Sequence, residues 1–403
     1  MDPSSTGPGS APGAPPVRLR LEPVERRALG ALAAIYAARM LGLFLLLPVL
    51  ALYAGGLGGA TPLLVGVAMG AYGLTQACLQ IPFGALSDRV GRRPVILAGL
   101  VLYVAGSAIG GLATGIWGVI VAGLVQGAGA ISGPVTALLA DLTRTEVRTR
   151  AMALIGISIG GSFVVSLVAA PLLEPLIGVP GIFWIMAGLA ALCIVLLYGV
   201  VPPPPPLATH ATGRPRLRDA LTAELAPYYL GIFALNFVLR ATFFGVPHAL
   251  RDVLHIDVHD HWKTYLGVFA ASVVPTIPLV LLTERAARPG EVMRFGIALL
   301  MISLGWLAFA HSSQAGLCAA LVAFFAAFNY LEARLPARLS QAAAAGVRGA
   351  ALGIFATAQF LGAFAGGVAA GALYGSRMGL VGVFGGASLV ALAWLLLARP
   401  GRD

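Results

Sequence analysis

Apolar residues in this chain come in unbroken runs separated by short polar clusters, with no strict alternation between the two. Crossing the hydrocarbon core of a bilayer as a helix takes about 20 residues, because each rises about 1.5 Å and the core is about 30 Å thick. Runs of that length fall near 29–53, 62–83, 94–114, 117–140, 149–172 and 179–201. A second set falls near 226–250, 263–283, 292–311, 315–339, 349–374 and 379–398. Continuous runs favour helices over a β-barrel, whose strands alternate lipid-facing with lumen-facing residues. The pattern predicts an all-α membrane protein of about twelve transmembrane helices in two six-helix bundles.

Residues 200–221, VVPPPPPLATHATGRPRLRDAL, separate the two sets. Five consecutive prolines cannot continue a helix, so the sixth span ends in a stiff extended segment that then turns basic. The predicted organisation is a disordered tail over 1–24, rich in Pro, Gly, Ser and Ala, and an N-terminal bundle over 25–201. A cytoplasmic linker over 202–224 and a C-terminal bundle over 225–399 complete it. The first apolar run is too long for the core of a cleaved signal peptide and is expected to stay as a span.

Only 10% of the residues are charged and 59% are apolar, where a soluble domain carries about 25% charged residues. A large water-exposed catalytic domain is therefore excluded, and neither enzyme activity nor a cofactor is expected. The net charge of +10 is almost all arginine, with Lys263 the only lysine. These charges sit in loops between membrane-length runs, so they point to the bilayer and not to nucleic acid. With the N-terminus in the cytoplasm, only Arg251, Lys263 and Arg377 face outward, and Arg39 and Arg240 lie within spans. Every other Lys or Arg then faces inward, so both termini are expected to be cytoplasmic. Cys78, Cys193 and Cys318 lie apart within apolar runs, show no metal-ligand spacing and read as packing.

Ionisable residues inside a span are costly and are candidate functional sites. Arg39 lies roughly 15 Å into the first span, with Tyr36 one turn earlier on the same face. Arg240 occupies the corresponding place in the seventh span, one turn after Asn236. Two guanidiniums facing one cavity from opposite halves suit an anionic substrate; pairing with a carboxylate or with backbone carbonyls is the competing reading. Glu332 is the main acid deep within a span, one turn after Asn329. Low dielectric disfavours a charged carboxylate, a property that a proton carrier uses. A salt bridge to Arg240 is the alternative.

Residues 84–93, between the second and third spans, read GALSDRVGRR. This resembles the signature loop of the major facilitator superfamily, Gly-x-Leu-Ala/Ser-Asp-Arg-x-Gly-Arg-Arg/Lys. Gly84, Leu86, Ser87, Asp88, Arg89, Gly91, Arg92 and Arg93 meet every defined position. RMLGLFLLLPVL, YGLTQACLQIPFG, DLTRTEVRTRAM, HWKTYL, FNYLEARLP and ATAQFLGAFAGG extend the likeness. Together they resemble the YajR-type branch of the drug–proton antiporters from about residue 25 onward. That branch carries a small soluble C-terminal domain, which is expected to be lacking here because the sequence stops just after the twelfth span.

The resemblance implies the major facilitator fold, with spans 1, 4, 7 and 10 lining a central cavity in the cell inner membrane. It implies secondary-active export of a small drug-like or metabolite substrate by alternating access and proton antiport, in a protein that works as a monomer. It also implies a relay of Asp88, Arg92 and Asp141 that latches the cytoplasmic side in the outward-facing state, with Asp88 held by the start of span 11 near Gly346 to Gly349. From physics alone, Gly84 and Gly91 permit close helix approach and a tight reversal. An acid such as Asp88 gains at a helix N-terminus by roughly 0.3–2 kcal/mol. Arg89 and Arg93 read as orientation charges.

Two departures from the family pattern weigh against proton coupling. Gly123 stands three residues before Gln126-Gly127, where the family carries an arginine, and Ala170-Pro171 stands where Gly-Pro is expected. Two other functions stay open: an organic-anion carrier using Arg39 and Arg240, and a non-transporting membrane scaffold or sensor. Polar stripes on span 2 (Tyr72, Gln76, Gln80) and span 5 (Ser158, Ser162, Ser166) read as helix glue before cavity lining. Phe233, Phe243, Phe244, Phe324, Phe325 and Phe328 read mostly as lipid-facing packing, with a greasy pocket for lipophilic drugs as the alternative. The outer loop HIDVHDHW reads as solvated, with a metal site on His255, His259 and His261 the weaker reading.

Overall fold

The computed structural model describes residues 22–203, 217–285, 289–344 and 346–398. Residues 1–21 of the predicted tail and 204–216 of the predicted linker lie outside them. Among the described residues, eleven helical stretches are long and apolar enough to cross a membrane. The longest holds two spans, because Gly178 breaks the helix Thr145–Gly199 with a left-handed φ of 66°. Twelve spans result.

Span 1 is Pro23–Leu45, span 2 Pro62–Val90, span 3 Arg92–Leu112 and span 4 Ile116–Asp141. Spans 5 and 6 are 145–177 and 179–199. Span 7 is Ala226–His248, span 8 His261–Arg285 and span 9 Pro289–Ala310. Span 10 is Gln314–Ala342, span 11 Arg348–Tyr374 and span 12 Gly379–Leu397. Local chemistry sets the ends. Pro62 opens span 2 with its fixed φ, and the Thr61 hydroxyl accepts the otherwise orphaned Leu64 N–H. Around Pro48 the first apolar run breaks, and it resumes as the short helix Leu50–Gly55.

Spans 1–6 and 7–12 form the two bundles of the major facilitator fold, with spans 2 and 11 packed against each other across the seam. Their contact is backbone to backbone. A Cβ on Gly66 would lie 2.2 Å from the Gly367 carbonyl oxygen, on Gly70 2.8 Å from that of Phe364, and on Gly73 2.7 Å from that of Phe360. The seam then loosens. A Cβ on Gly353 would lie 3.7 Å from Ile81, and Gly84, Gly346 and Gly349 would meet nothing within 4 Å. The bundles are thus tight at the far end, near Pro62 and Tyr374, and loose at the loop end, near residues 84–93.

An aromatic cluster adds to the tight half. Phe163 on span 5 has its ring centroid 5.2 Å from Phe44, 5.8 Å from Phe269, 6.1 Å from Phe243 and 6.4 Å from Phe325. Phe243, Phe244, Phe324, Phe325 and Phe328 are buried in protein, which corrects the lipid-facing expectation for these five. Rings on spans 5, 7, 8 and 10 meet at the seam, so they fill space between bundles. Ser162 and Ser166 donate to the Ala37 and Leu41 carbonyls, tying span 5 to span 1 as helix glue. The cysteines are free, and Cys78 is exposed, not packed.

Candidate functional site

The signature loop folds as one hydrogen-bonded unit. Gly91, with a φ of 107° that L side chains avoid, makes the reversal between spans 2 and 3. Arg92 follows at the first position of span 3, where its guanidinium reaches back to Asp88 and donates to Ser87 Oγ at 2.8 Å. Its Nε donates to Asp141 Oδ2, at 3.2 Å, at the end of span 4. The three residues of the expected relay are therefore in contact, all within the N-terminal bundle.

Asp88 and Gly84 both stand clear of span 11 in this conformation. Among the described residues Asp88 pairs with Arg92 and makes no hydrogen bond to the start of span 11, its side chain being 41% exposed. The loosened seam explains this, since spans 2 and 11 separate before they reach it. Gly84 makes no close helix contact either, for the same reason. Arg89 is exposed, as an orientation charge would be.

Arg39 is 4% exposed and held within its own bundle by four hydrogen bonds from its two terminal nitrogens, while its Nε is buried with no partner among the described residues. It donates to Tyr72 Oη at 2.7 Å, Gln76 Oε1 at 3.1 Å and Ser132 Oγ at 3.1 Å. The Gly129 carbonyl accepts a fourth bond at 2.9 Å, available because span 4 is interrupted between Ala128 and Ser132. Gln76 in turn donates to Gln80 at 2.8 Å, so the polar stripe of span 2 is a scaffold for this arginine. Structural pairing, with side-chain and backbone oxygens and no carboxylate, describes Arg39.

Arg240 differs. Among the described residues it makes no hydrogen bond or ion pair, and the expected alternative, a bridge to Glu332, is not formed. The side chain crosses the seam into a pocket of about 30 Å³ whose other walls come from the N-terminal bundle, including Met69, Tyr72, Gly123 and Gln126. The space opened by Gly123 is thus met by a cation from the opposite half. Tyr72 touches both systems, bonding Arg39 and lining the pocket of Arg240.

Glu332 accepts a hydrogen bond from Gln359 of span 11 at 3.1 Å, and its Oε2 is buried without a partner. Gln359 escaped the sequence reading as a site residue, although a lone amide in the apolar run ATAQFLG was a signal. Glu25 escaped it too: its carboxylate binds Arg144 at 2.9 and 3.0 Å, pinning the start of span 1 to the loop after span 4. Of the other candidates, Gln126 donates to Ser107 at 2.9 Å and Asn236 to the Ile232 carbonyl at 3.2 Å. Both are spent on packing. Tyr36 and Asn329 are half-buried and form no hydrogen bond among the described residues.

The outer histidines do not converge. Among the described residues no three His, Cys, Asp or Glu side chains are grouped as a metal site. His261 is buried and bonds the Ile256 carbonyl at 3.1 Å through Nε2.

Residues 32–333 match the family model described as Major Facilitator Superfamily. The chain is 39% identical to Inner membrane transport protein YajR of Escherichia coli strain K12, over 95% of this chain and 85% of that one. It is 28% identical to Multidrug resistance protein MdtH of Aeromonas hydrophila, over 84% of this chain and 85% of the relative. Among solved structures, a bacterial homologue of the human lysosomal transporter Spinster, in an inward-facing and occupied conformation, aligns with a TM-score of 0.73. That match has 15% identity, covering 94% of this chain and 96% of the other. The chain belongs to the major facilitator superfamily, and it is a membrane transporter of the YajR type, not an enzyme.

Proposed function

We propose that this transporter exports a small drug-like or metabolite substrate from the cytoplasm by alternating access, in exchange for protons carried by Glu332. The loop end is the cytoplasmic side in this reading, with both termini there and the protein in the cell inner membrane, working as a monomer. The arginine bias toward that end supports the orientation. The tight far end and loosened loop end then correspond to a cavity that opens inward. Multidrug resistance proteins among the relatives support a drug-like cargo.

The observation that carries the proton role is the Glu332 carboxyl, with one oxygen buried and unpaired and the other bonded to a neutral amide of span 11. Among the described residues no cation pairs with it, so binding a proton is the cheapest way to satisfy that oxygen. Because Gln359 sits on the helix that packs across the seam, protonation would alter a contact that bears on bundle movement. In liposomes with an imposed pH gradient, Glu332→Gln is expected to abolish the acceleration of cationic drug flux while leaving downhill flux measurable. Equal proton dependence in the variant would sink the assignment, and no flux of any candidate would favour the scaffold reading.

A second reading, an organic-anion carrier, rests mainly on Arg240, since both terminal nitrogens of Arg39 are already bonded within its own bundle. Flux restricted to anions and stopped by Arg240→Ala would favour it.

For the loop, Asp88 is proposed to exchange Arg92 for the span 11 terminus when the loop end closes. Asp88→Asn is then expected to slow turnover about tenfold, roughly 1.4 kcal/mol of lost preference between states. Substrate binding should be unchanged. Wild-type turnover in liposomes would refute it.

A further inference from the structure

A second cavity lies at the loop end, on the outside of the N-terminal bundle and remote from Glu332 and Arg240. Its volume is about 330 Å³, and it is lined by Arg27 from span 1, Arg93 from span 3, and Tyr198 to Pro203 at the end of span 6. Arg27 donates to the Gly199 carbonyl at 3.2 Å, and Arg93 donates to the Val201 carbonyl. The Arg93 guanidinium carbon stands 5.9 Å from the centre of the Tyr198 ring.

Those carbonyls take only one N–H from each fork and carry no full charge. Among the described residues, Arg93 Nε is buried with no acceptor, and no acidic side chain lines the cavity. Two like charges sharing a cavity repel each other, and an anion between them would reverse that sign. A guanidinium fork matches the paired oxygens of a phosphate. The cavity is lined by Val24 and Tyr198, 58% and 51% exposed, and beyond it on span 6 stands Val195, 66% exposed. Val195 and Tyr198 are three residues apart, so they share a face of span 6. A headgroup phosphate in the cavity would leave its acyl chains along that face.

We infer that Arg27 and Arg93 form a binding site for the phosphate of an anionic phospholipid at the cytoplasmic surface of the N-terminal bundle. The inference uses the orientation proposed above, and it is independent of proton coupling. The bound lipid clamps spans 1, 3 and 6 at one end of the bundle. Anionic headgroups are concentrated in that leaflet, and each nearby Lys or Arg gains from them.

The test is thermal unfolding of the purified full chain in mixed micelles. Phosphatidylglycerol is titrated against phosphatidylcholine and against inorganic phosphate at equal concentration. Phosphatidylglycerol is expected to raise the midpoint by several degrees, and the other two by less than a third as much. In Arg27→Gln/Arg93→Gln the shift should fall by more than half, whereas Arg294→Gln, removing one charge elsewhere, should keep it. An equal shift with inorganic phosphate would mean a free anion site, and an equal shift with phosphatidylcholine a nonspecific solvation effect; either overturns the proposal. So does a double variant that keeps the full shift. Should that variant not fold, native mass spectrometry of the wild type decides: retained phosphatidylglycerol that an Arg93→Lys variant holds less well supports the site, and no retained lipid refutes it.

Discussion

Replacing Gly66 with valine is expected to hold the two bundles apart at the far end and to cut transport at least tenfold. The Cβ alone would lie 2.2 Å from the Gly367 carbonyl oxygen and 3.0 Å from the Gly371 Cα. Both neighbours are backbone, so neither can rotate away as a side chain would. Overpacking a rigid contact costs about 1–3 kcal/mol. A protein that alternates between two packings need not absorb that cost, because it can move to the state in which the far end is open. A bias of that size shifts the ratio of states roughly 5- to 150-fold. Spin labels at positions 112 and 377, with Cys78, Cys193 and Cys318 replaced by serine, would report a longer far-end distance. Gly188→Ala on span 6, where a Cβ meets nothing within 4 Å, is the matched control and should leave both distance and flux unchanged. An unaltered distance in Gly66→Val, with normal flux, would mean that this contact is not the far gate.

Arg39→Ala is expected to lower stability by about 2–5 kcal/mol, seen as a clear fall in unfolding midpoint and in yield of folded protein. The substitution leaves Tyr72 Oη, Gln76 Oε1, Ser132 Oγ and the Gly129 carbonyl without their donor. Unsatisfied buried polar groups cost about 1–3 kcal/mol each before relaxation. Within the bilayer, water reaches them only through the cavity. Arg39→Lys should recover little, since one ammonium cannot reproduce a planar fork bonding to spans 2 and 4 together. The contrast with Arg240 makes the prediction diagnostic. Arg240→Ala removes a guanidinium that bonds to nothing among the described residues, so stability should hold while transport or its selectivity changes. If Arg39→Ala unfolded at the wild-type temperature and lost only anion transport, Arg39 would belong to the substrate site and not to the scaffold.

Hydropathy by itself determined that this chain spans a membrane as helices, because an unpaired backbone in hydrocarbon is too costly for any open alternative. The six-plus-six arrangement was legible for the same reason, down to the separation of spans 5 and 6 near Gly178. The signature loop was legible too: the resemblance implied the pairing of Asp88 with Arg92, and the reversal at Gly91 brings the two together. Pairing across the fold did not. Nothing in the run of residues separates Arg39 from Arg240, two arginines at matching depths in matching spans. Only the packing shows that the first is spent on Tyr72, Gln76, Ser132 and Gly129, and that the second crosses the seam beside Gly123. The gap between Asp88 and span 11 was not legible either, since it depends on which end of the seam is tight, a property of two bodies in one of their positions. Buried aromatic residues look the same in sequence whether lipid or protein covers them, so the cluster around Phe163 was invisible there as well. Composition settles what the solvent is; which face of each helix meets the other bundle is decided by shape.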